Sequence, residues 1–233
     1  MEAGASEIAL VDIPDGKEFS WMVGDKIVIA STDYFGRHAE ERTIIAVSGE
    51  HPSFVLTLDE VLEYKHYAGV ETYPEEKEEE EGEEENKQIL EMRAEVGLLS
   101  RNIVVRGDAE TSAANQYGAH IMLHPGVENS VLGRIENVEL TDVGQAHKLG
   151  RYPIHFHMAG NVHGSYIKGC AIHQAFNRGI TIHGVQALTV QDNVLYHVLG
   201  HTIFLEDGAE TGNVIERNLV VDTRASWSLL VTD

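Results

Sequence analysis

Cysteine is almost missing from this chain: Cys170 is the only one in 233 residues. That excludes an internal disulfide framework. Cys170 sits in an apolar run, so its thiol is expected to be a buried hydrophobe rather than a nucleophile. Basic residues are scarce as well, with 17 Lys and Arg against 38 Asp and Glu, for a net charge of -21. A nucleic-acid partner needs a basic face, and none is expected here. No apolar run reaches the ~18 residues a membrane-crossing helix needs, so no membrane contact by this segment is expected. The first residues have neither the basic region nor the apolar run of a signal peptide. Both ends read as cuts within a longer chain, the second in mid-strand at 229–233, which makes flanking domains expected partners. Aromatics amount to 7%, while glycines number 22, a balance that favours many short strands and tight turns over a helical bundle.

The first part of the chain reads as β-rich. Residues 8–30 contain a turn at Gly24-Asp25 and a buried strand at 27–30, and 43–47 and 54–58 alternate like two more strands joined by a loop at 48–53. Residues 71–88 change character. The stretch 75–85 holds nine glutamates and one lysine, cannot bury a core, and reads as a solvated, mobile loop. Strands return at 96–99 and 103–105, and a domain boundary is expected near Gly107, dividing the chain into 1–106 and 107–233.

Beyond it a repeat emerges. One strand family starts at Ile135, Ile167, Val190 and Ile215, with spacings of 32, 23 and 25 residues. A period in the low twenties with at least two short strands per period is the mark of a β-solenoid, whose coils must stack to bury their apolar residues. The all-β, right-handed parallel β-helix is therefore the expected fold. Asn193 and Asn218 fall at one place in successive coils, where side-chain amides form a short ladder.

A second family carries the chemistry. Segments 119–124, 153–157, 179–183 and 202–206 each alternate two apolar residues: Ile121 and Leu123, Ile154 and Phe156, Ile180 and Ile182, Ile203 and Leu205. Each ends in a titratable or metal-competent side chain, respectively His124, His157, His183 and Glu206. Stacked in register ~4.8 Å apart, these ends form one outward column. His157, His183 and Glu206, with His124 one coil further, suit a divalent cation such as Zn, Mn, Fe or Ca. A second outward column is His155, Thr181 and Phe204, and a third, at the strand entrance, is Tyr152, Arg178 and His201. Phe204 does not belong on a wet face. Either a loop covers it, or a one-residue slip makes Asp207 the column member instead of Glu206. Eight of the 13 histidines lie between His147 and His201, a concentration that scattered surface histidines would not show. The competing reading is a plain polar face without a site.

Glu206 and Asp207 are adjacent and point to opposite faces of a strand, so they make a poor glycosidase pair. A lyase-type reaction needs a base and a cation to neutralise a uronate, and this set is closer to that. His155, His201, Glu206 and Asp207 are the candidate catalytic groups. Arg151, Asn177 and Arg178 are the candidate substrate-binding groups.

Long motifs then point to a family. Trp21-Met-Val-Gly-Asp-Lys-Ile-Val-Ile-Ala-Ser-Thr-Asp-Tyr34 and Arg93-Ala-Glu-Val-Gly-Leu-Leu-Ser-Arg-Asn-Ile103 resemble the C-terminal half of a G8 domain. Gly150-Arg-Tyr-Pro-Ile-His-Phe-His157, Phe176-Asn-Arg-Gly179, Ile182-His-Gly184 and Gly200-His-Thr-Ile-Phe-Leu-Glu-Asp-Gly208 resemble the β-helix that follows it. The chain resembles, over roughly 20–233, the G8 plus β-helix family that holds fibrocystin-L and cell-surface hyaluronidases. The resemblance implies a partial G8 module ahead of the β-helix, and an extracellular or cell-surface location. It also implies binding, with possible depolymerisation, of an acidic polysaccharide such as hyaluronan. The alternative within the family is a non-catalytic structural ectodomain or coat protein of the fibrocystin-L type.

Overall fold

The computed structural model of the chain describes residues 1–11, 13, 18–73, 88–126 and 131–226. The acidic loop expected over 71–88 is described only at its two ends, where Val70–Tyr73 pairs antiparallel with Gln88–Glu91. The strand end expected at 229–233 lies outside the described residues.

Two compact units are present, one of Met1–Gly24 and Ile29–Val96, the other of Asp25–Val28 and Gly97–Asp233. In the first, Glu7–Leu10 pairs antiparallel with Ser53–Leu58, which pairs antiparallel with Glu40–Glu50. Ile8, Ile44 and Leu56 from the three strands are buried together by alternation. The pairing runs on to Glu50 and Ser53, so the turn is only His51-Pro52 and not the longer loop expected. Gly49 makes this closure possible: its φ is +93°, and a Cβ there would stand 2.7 Å from the Ser53 carbonyl oxygen.

The second unit is a parallel β-helix with three sheets. One sheet stacks Arg134–Glu136, Tyr166–Lys168, Thr189–Gln191 and Val214–Glu216. The next stacks Ile103–Arg106, Val138–Val143, Ala171–Ala175, Val194–Leu199 and Leu219–Arg224. The third stacks Ile121–Leu123, Ile154–Asn161, Ile180–Gln186 and Ile203–Leu205. Ile103–Arg106 already pairs with Val138–Thr141, so the solenoid starts before the boundary expected at Gly107.

The first repeated strand family turns out to be two strands meeting at a corner. Asn137, Gly169, Asp192 and Arg217 occupy that corner in successive coils, with φ of 54°, 61°, 57° and 52°. Only one of the four is the glycine that the left-handed region favours, which is why the alternation read as one continuous strand. Inward residues of all three sheets make one apolar column, among them Leu140, Ile154, Phe156, Ile172, Ile180, Ile182, Val190 and Leu195. Cys170 lies within it, and burial pushes its thiol above the ordinary cysteine range.

The asparagine ladder is present and short. Asn193 Nδ2 donates to the Ile167 carbonyl at 3.0 Å and to Asn218 Oδ1 at 2.9 Å, while its Oδ1 accepts from the Cys170 N–H at 2.9 Å. Asn218 Nδ2 repeats the contact on the Val190 carbonyl at 3.0 Å. Asn193→Ala strands a buried backbone N–H and C=O, each costing about 1–3 kcal/mol. Urea unfolding should show a loss of at least ~2 kcal/mol. A loss under ~0.5 kcal/mol, the range of an ordinary surface substitution, would remove the ladder as a brace.

Candidate functional site

The site forms on the outer face of the third sheet, and its register is the expected one. Ile154 pairs with Ile121 and Ile180, His157 pairs with His183, and Ile182 pairs with Leu205. The Glu206 N–H donates to the Ile182 carbonyl at 3.0 Å, which extends the ladder and sets Glu206 beside His183. No slip occurs at Phe204, which pairs with Thr181.

The second column of this face is not wet. His155 is 2% exposed, and Thr181 is fully buried. Segment 145–152 accounts for the cover over His155. Asn177 Nδ2 donates to the Gln145 and Lys148 carbonyls at 2.8 and 3.1 Å, pinning that segment down. The Gly150 carbonyl then accepts from His155 Nδ1 at 3.2 Å. Phe204 is covered as well, stacked on His201 with centroids 4.4 Å apart and lying 4.3 Å from the Arg178 guanidinium carbon.

Three imidazoles converge. One ring nitrogen from each of His155, His157 and His183 lies within 4.8 Å of the others. His157 Nδ1 and His183 Nδ1 are 3.0 Å apart. The second nitrogens of two rings are committed elsewhere. His155 gives Nδ1–H to Gly150, leaving a buried Nε2 with no hydrogen-bond partner among the described residues. His183 turns Nε2 to Asp207 Oδ2 at 3.4 Å and Nδ1 to Glu206 Oε2 at 3.5 Å. Glu210 braces that turn, its Oε1 accepting from the N–H groups of Gly184 at 3.0 Å and Asp207 at 3.2 Å. Glu206 Oε2 and Thr181 Oγ1 are also buried without a hydrogen-bond partner among the described residues. Buried polar atoms left unpaired are rare, and three of them on one small face make it the candidate site.

Electrostatics favour the neutral form of two of these rings, His155 and His157. Burial pushes His155 down to about 4, helped by the positive potential of His157, His183 and Arg178 and opposed by the Gly150 hydrogen bond. His157 is also lowered, by burial first and then by His183 and His124. A neutral imidazole with one free nitrogen is the form a metal takes.

Several sequence-based assignments change. Arg178 was expected to meet substrate, yet it is 1% exposed: NH1 donates to the Tyr152 hydroxyl at 2.9 Å and stands 3.6 Å from Glu206 Oε1. Asn177, the other expected substrate contact, is 2% exposed, its amide bonded to segment 145–148 and its Oδ1 to the Arg178 N–H. His124 keeps its place in the column, its ring 5.4 Å from that of His157, but it is exposed and its Nδ1 faces the Pro125 carbonyl at 2.9 Å. It stands apart from the three-histidine group, whose third member is His155, placed by sequence in the neighbouring column. Asp207 contacts His183 from outside and is half-exposed, the position of an orienting carboxylate. His201 stacks on Phe204 at the exposed rim. Arg151 is exposed there too, donating from NH1 to His120 Nε2 at 2.8 Å. Sequence reasoning missed His120, Tyr152 as the Arg178 partner, and the Gly150 carbonyl. The Gly150-Arg-Tyr-Pro motif was the one signal that this segment mattered.

A parallel β-helix bearing a half-buried histidine cluster on one sheet defines a class of solenoid proteins with a candidate ligand site on a sheet face. Residues 116–233 match the CEMIP beta-helix family, and the chain belongs to it. Its relatives include mouse fibrocystin-L, 39% identical over 253 aligned residues that cover 92% of this chain and 6% of the relative. The human cell surface hyaluronidase CEMIP2 is 38% identical over 231 residues, 92% of this chain and 15% of the relative. A G8 domain-containing protein of Dictyostelium discoideum is 35% identical over 203 residues, 86% of this chain and 12% of the relative. The chain thus spans a small part of the length of these relatives. Among the described residues, no helix is long and apolar enough to cross a membrane.

Proposed function

We propose that this domain works at the cell surface or outside the cell, where it binds an acidic polysaccharide of the hyaluronan class and depolymerises it. In this reading a divalent transition metal is held by His155, His157 and His183. The observation that carries the reading is the convergence of three imidazole nitrogens within 4.8 Å, two of them oriented by a hydrogen bond or carboxylate on the far ring nitrogen. That is the arrangement by which proteins fix the tautomer of metal-ligating histidines. Two nitrogens on one ion at 2.0–2.1 Å lie about 3.0–3.4 Å apart, which matches the His157–His183 spacing of 3.0 Å. Closing the full trio to such spacing asks for side-chain shifts of about 1–2 Å. All-nitrogen ligation favours zinc-class ions over calcium, which takes oxygen ligands.

Bound there, the metal would supply a Lewis acid for a sugar oxygen or carboxylate. Glu206 Oε2, aimed at the same point, is suited to accept a proton. Arg151 and His201 at the rim give an acidic sugar its cationic and stacking contacts on an otherwise acidic chain. The names of two human relatives, a cell surface hyaluronidase and a cell migration-inducing and hyaluronan-binding protein, support the choice of sugar.

The test is size-exclusion chromatography of high-mass hyaluronan after incubation with the zinc- or manganese-loaded domain. Shortened chains that vanish with His157→Ala are the expected result, and ultraviolet-absorbing unsaturated ends would assign elimination over hydrolysis. Intact chains with retained binding would leave a polysaccharide-binding module. Neither binding nor shortening would favour the structural ectodomain, the reading that the net charge of -21 supports.

A further inference from the structure

Arg178 poses a problem that the proposed site does not answer by itself. A guanidinium this deeply buried is costly unless its charge is compensated. Its compensation is unusually specific. The guanidinium carbon lies 4.3 Å from the Phe204 ring centroid and 5.3 Å from that of Tyr152. NH1 donates to the Tyr152 hydroxyl at 2.9 Å. The same nitrogen stands 3.6 Å from Glu206 Oε1. Two aromatic faces and a hydroxyl therefore hold a planar cation beside one oxygen of one carboxylate.

The consequence falls on Glu206. Its Oε1 is turned to Arg178, and its Oε2 lies 3.5 Å from His183 Nδ1 with no hydrogen-bond partner among the described residues. Nδ1 is the His183 nitrogen that joins His157, whereas Nε2 faces Asp207. The carboxylate is thus charge-compensated on one oxygen and open on the other, with the open oxygen aimed into the histidine cluster.

We infer that Arg178 and Tyr152 are a buried positioning pair that holds the Glu206 carboxylate against the metal-binding face, with Tyr152 setting the guanidinium and the guanidinium setting Glu206. The inference rests on the proposed metal reading. It also accounts for Arg178 facing Glu206 rather than a uronate: the guanidinium is enclosed, 1% exposed, and acidic substrate is left to Arg151 at the rim. Lysine could not replace Arg178, because a point charge on a flexible stem neither stacks between two rings nor fixes one carboxylate oxygen.

Cobalt(II) is the probe, since its visible absorption reports the ligand field. Arg178→Ala would risk the fold, so the informative variant is Tyr152→Phe, which keeps the ring and removes only the hydroxyl. The full chain, its Tyr152→Phe and Glu206→Gln variants and the double variant are titrated with Co(II). Tyr152→Phe is expected to weaken Co(II) binding by ~10-fold or more, the effect of losing an outer partner. It should also move the visible band in the same direction as Glu206→Gln. The double variant should add little to Glu206→Gln alone, because both substitutions act through one carboxylate. Wild-type affinity and band in Tyr152→Phe, with only a fall in melting temperature, would reduce the pair to a structural ion pair and overturn this inference alone. No Co(II) bound by the wild type would overturn the metal reading and this inference together.

Discussion

The wild-type chain, dialysed against zinc and then metal-free buffer, is expected to retain close to one zinc per chain, and His155→Ala is expected to lower that affinity by ~100-fold or more. Loss of an outer partner costs 10–100-fold, and loss of a ligand should exceed that range. His155 is the most telling choice. Its Nε2 is buried without a partner among the described residues, and its Nδ1 is tied to the Gly150 carbonyl, so it has no other evident task in the cluster. His124→Ala serves as the control: its ring stacks on His157, but it stands outside the converging trio, and its substitution should change zinc affinity by less than ~10-fold. Elemental analysis after dialysis gives the stoichiometry and competition with a chelating dye gives the affinity. Equal losses in the two variants, or zinc retained by His155→Ala, would sink the assignment of ligands.

In metal-free protein, acidification should cost about 3 kcal/mol of unfolding free energy from His155 alone. Its folded pKa is pushed down to about 4 by burial, against 6.5 for the free group. Each unit is worth 1.36 kcal/mol. The sign follows from proton counts. Between pH 6.5 and about 4 the unfolded chain binds the proton and the folded chain does not, so stability falls as pH falls through that window. His157, also lowered, adds in the same direction. The lowered carboxylates Glu40 and Glu139 act mainly below the ordinary glutamate value of 4.5, so the histidine part is separable above pH 5. Denaturant unfolding of wild type and His155→Gln with chelator present, at pH 7 and 5, reads the part of this lost above pH 5, about 2 kcal/mol. Wild type should lose more stability than the variant over this interval, and parallel curves would mean that His155 is hydrated in the folded state.

These predictions hinge on groups that differ in how plainly they were written in the chain. The column His157, His183 and Glu206 was legible because a strand has a side-chain period of two and a solenoid repeats at one coil, so both coordinates of each residue follow from counting. The stack itself was legible for the same reason, down to the pairing of Ile167 with Val190 and of Val190 with Ile215. The corner after each short strand was not, since Asn137, Asp192 and Arg217 adopt positive φ without the glycine that would announce it. Nor was the shape of the cluster. Counting placed His155 in a separate column, yet ring rotation brings its nitrogen into reach of His157 and His183.

The amino-acid sequence by itself determined the all-β solenoid and the register of the third sheet, because each depends on spacing between residues that are near in sequence or one coil apart, and its long motifs carried the resemblance to the family. Tertiary structure alone decided which outward residues are dry. Segment 145–152, pinned by Asn177, closes over His155, and the Tyr152 and Phe204 rings enclose Arg178. Burial of an outward side chain depends on where a non-repeating segment lands, and no periodicity encodes that. The difference matters chemically: in water these groups would be an ordinary polar face, whereas desolvation leaves His155 neutral with a free nitrogen and commits Arg178 to Glu206.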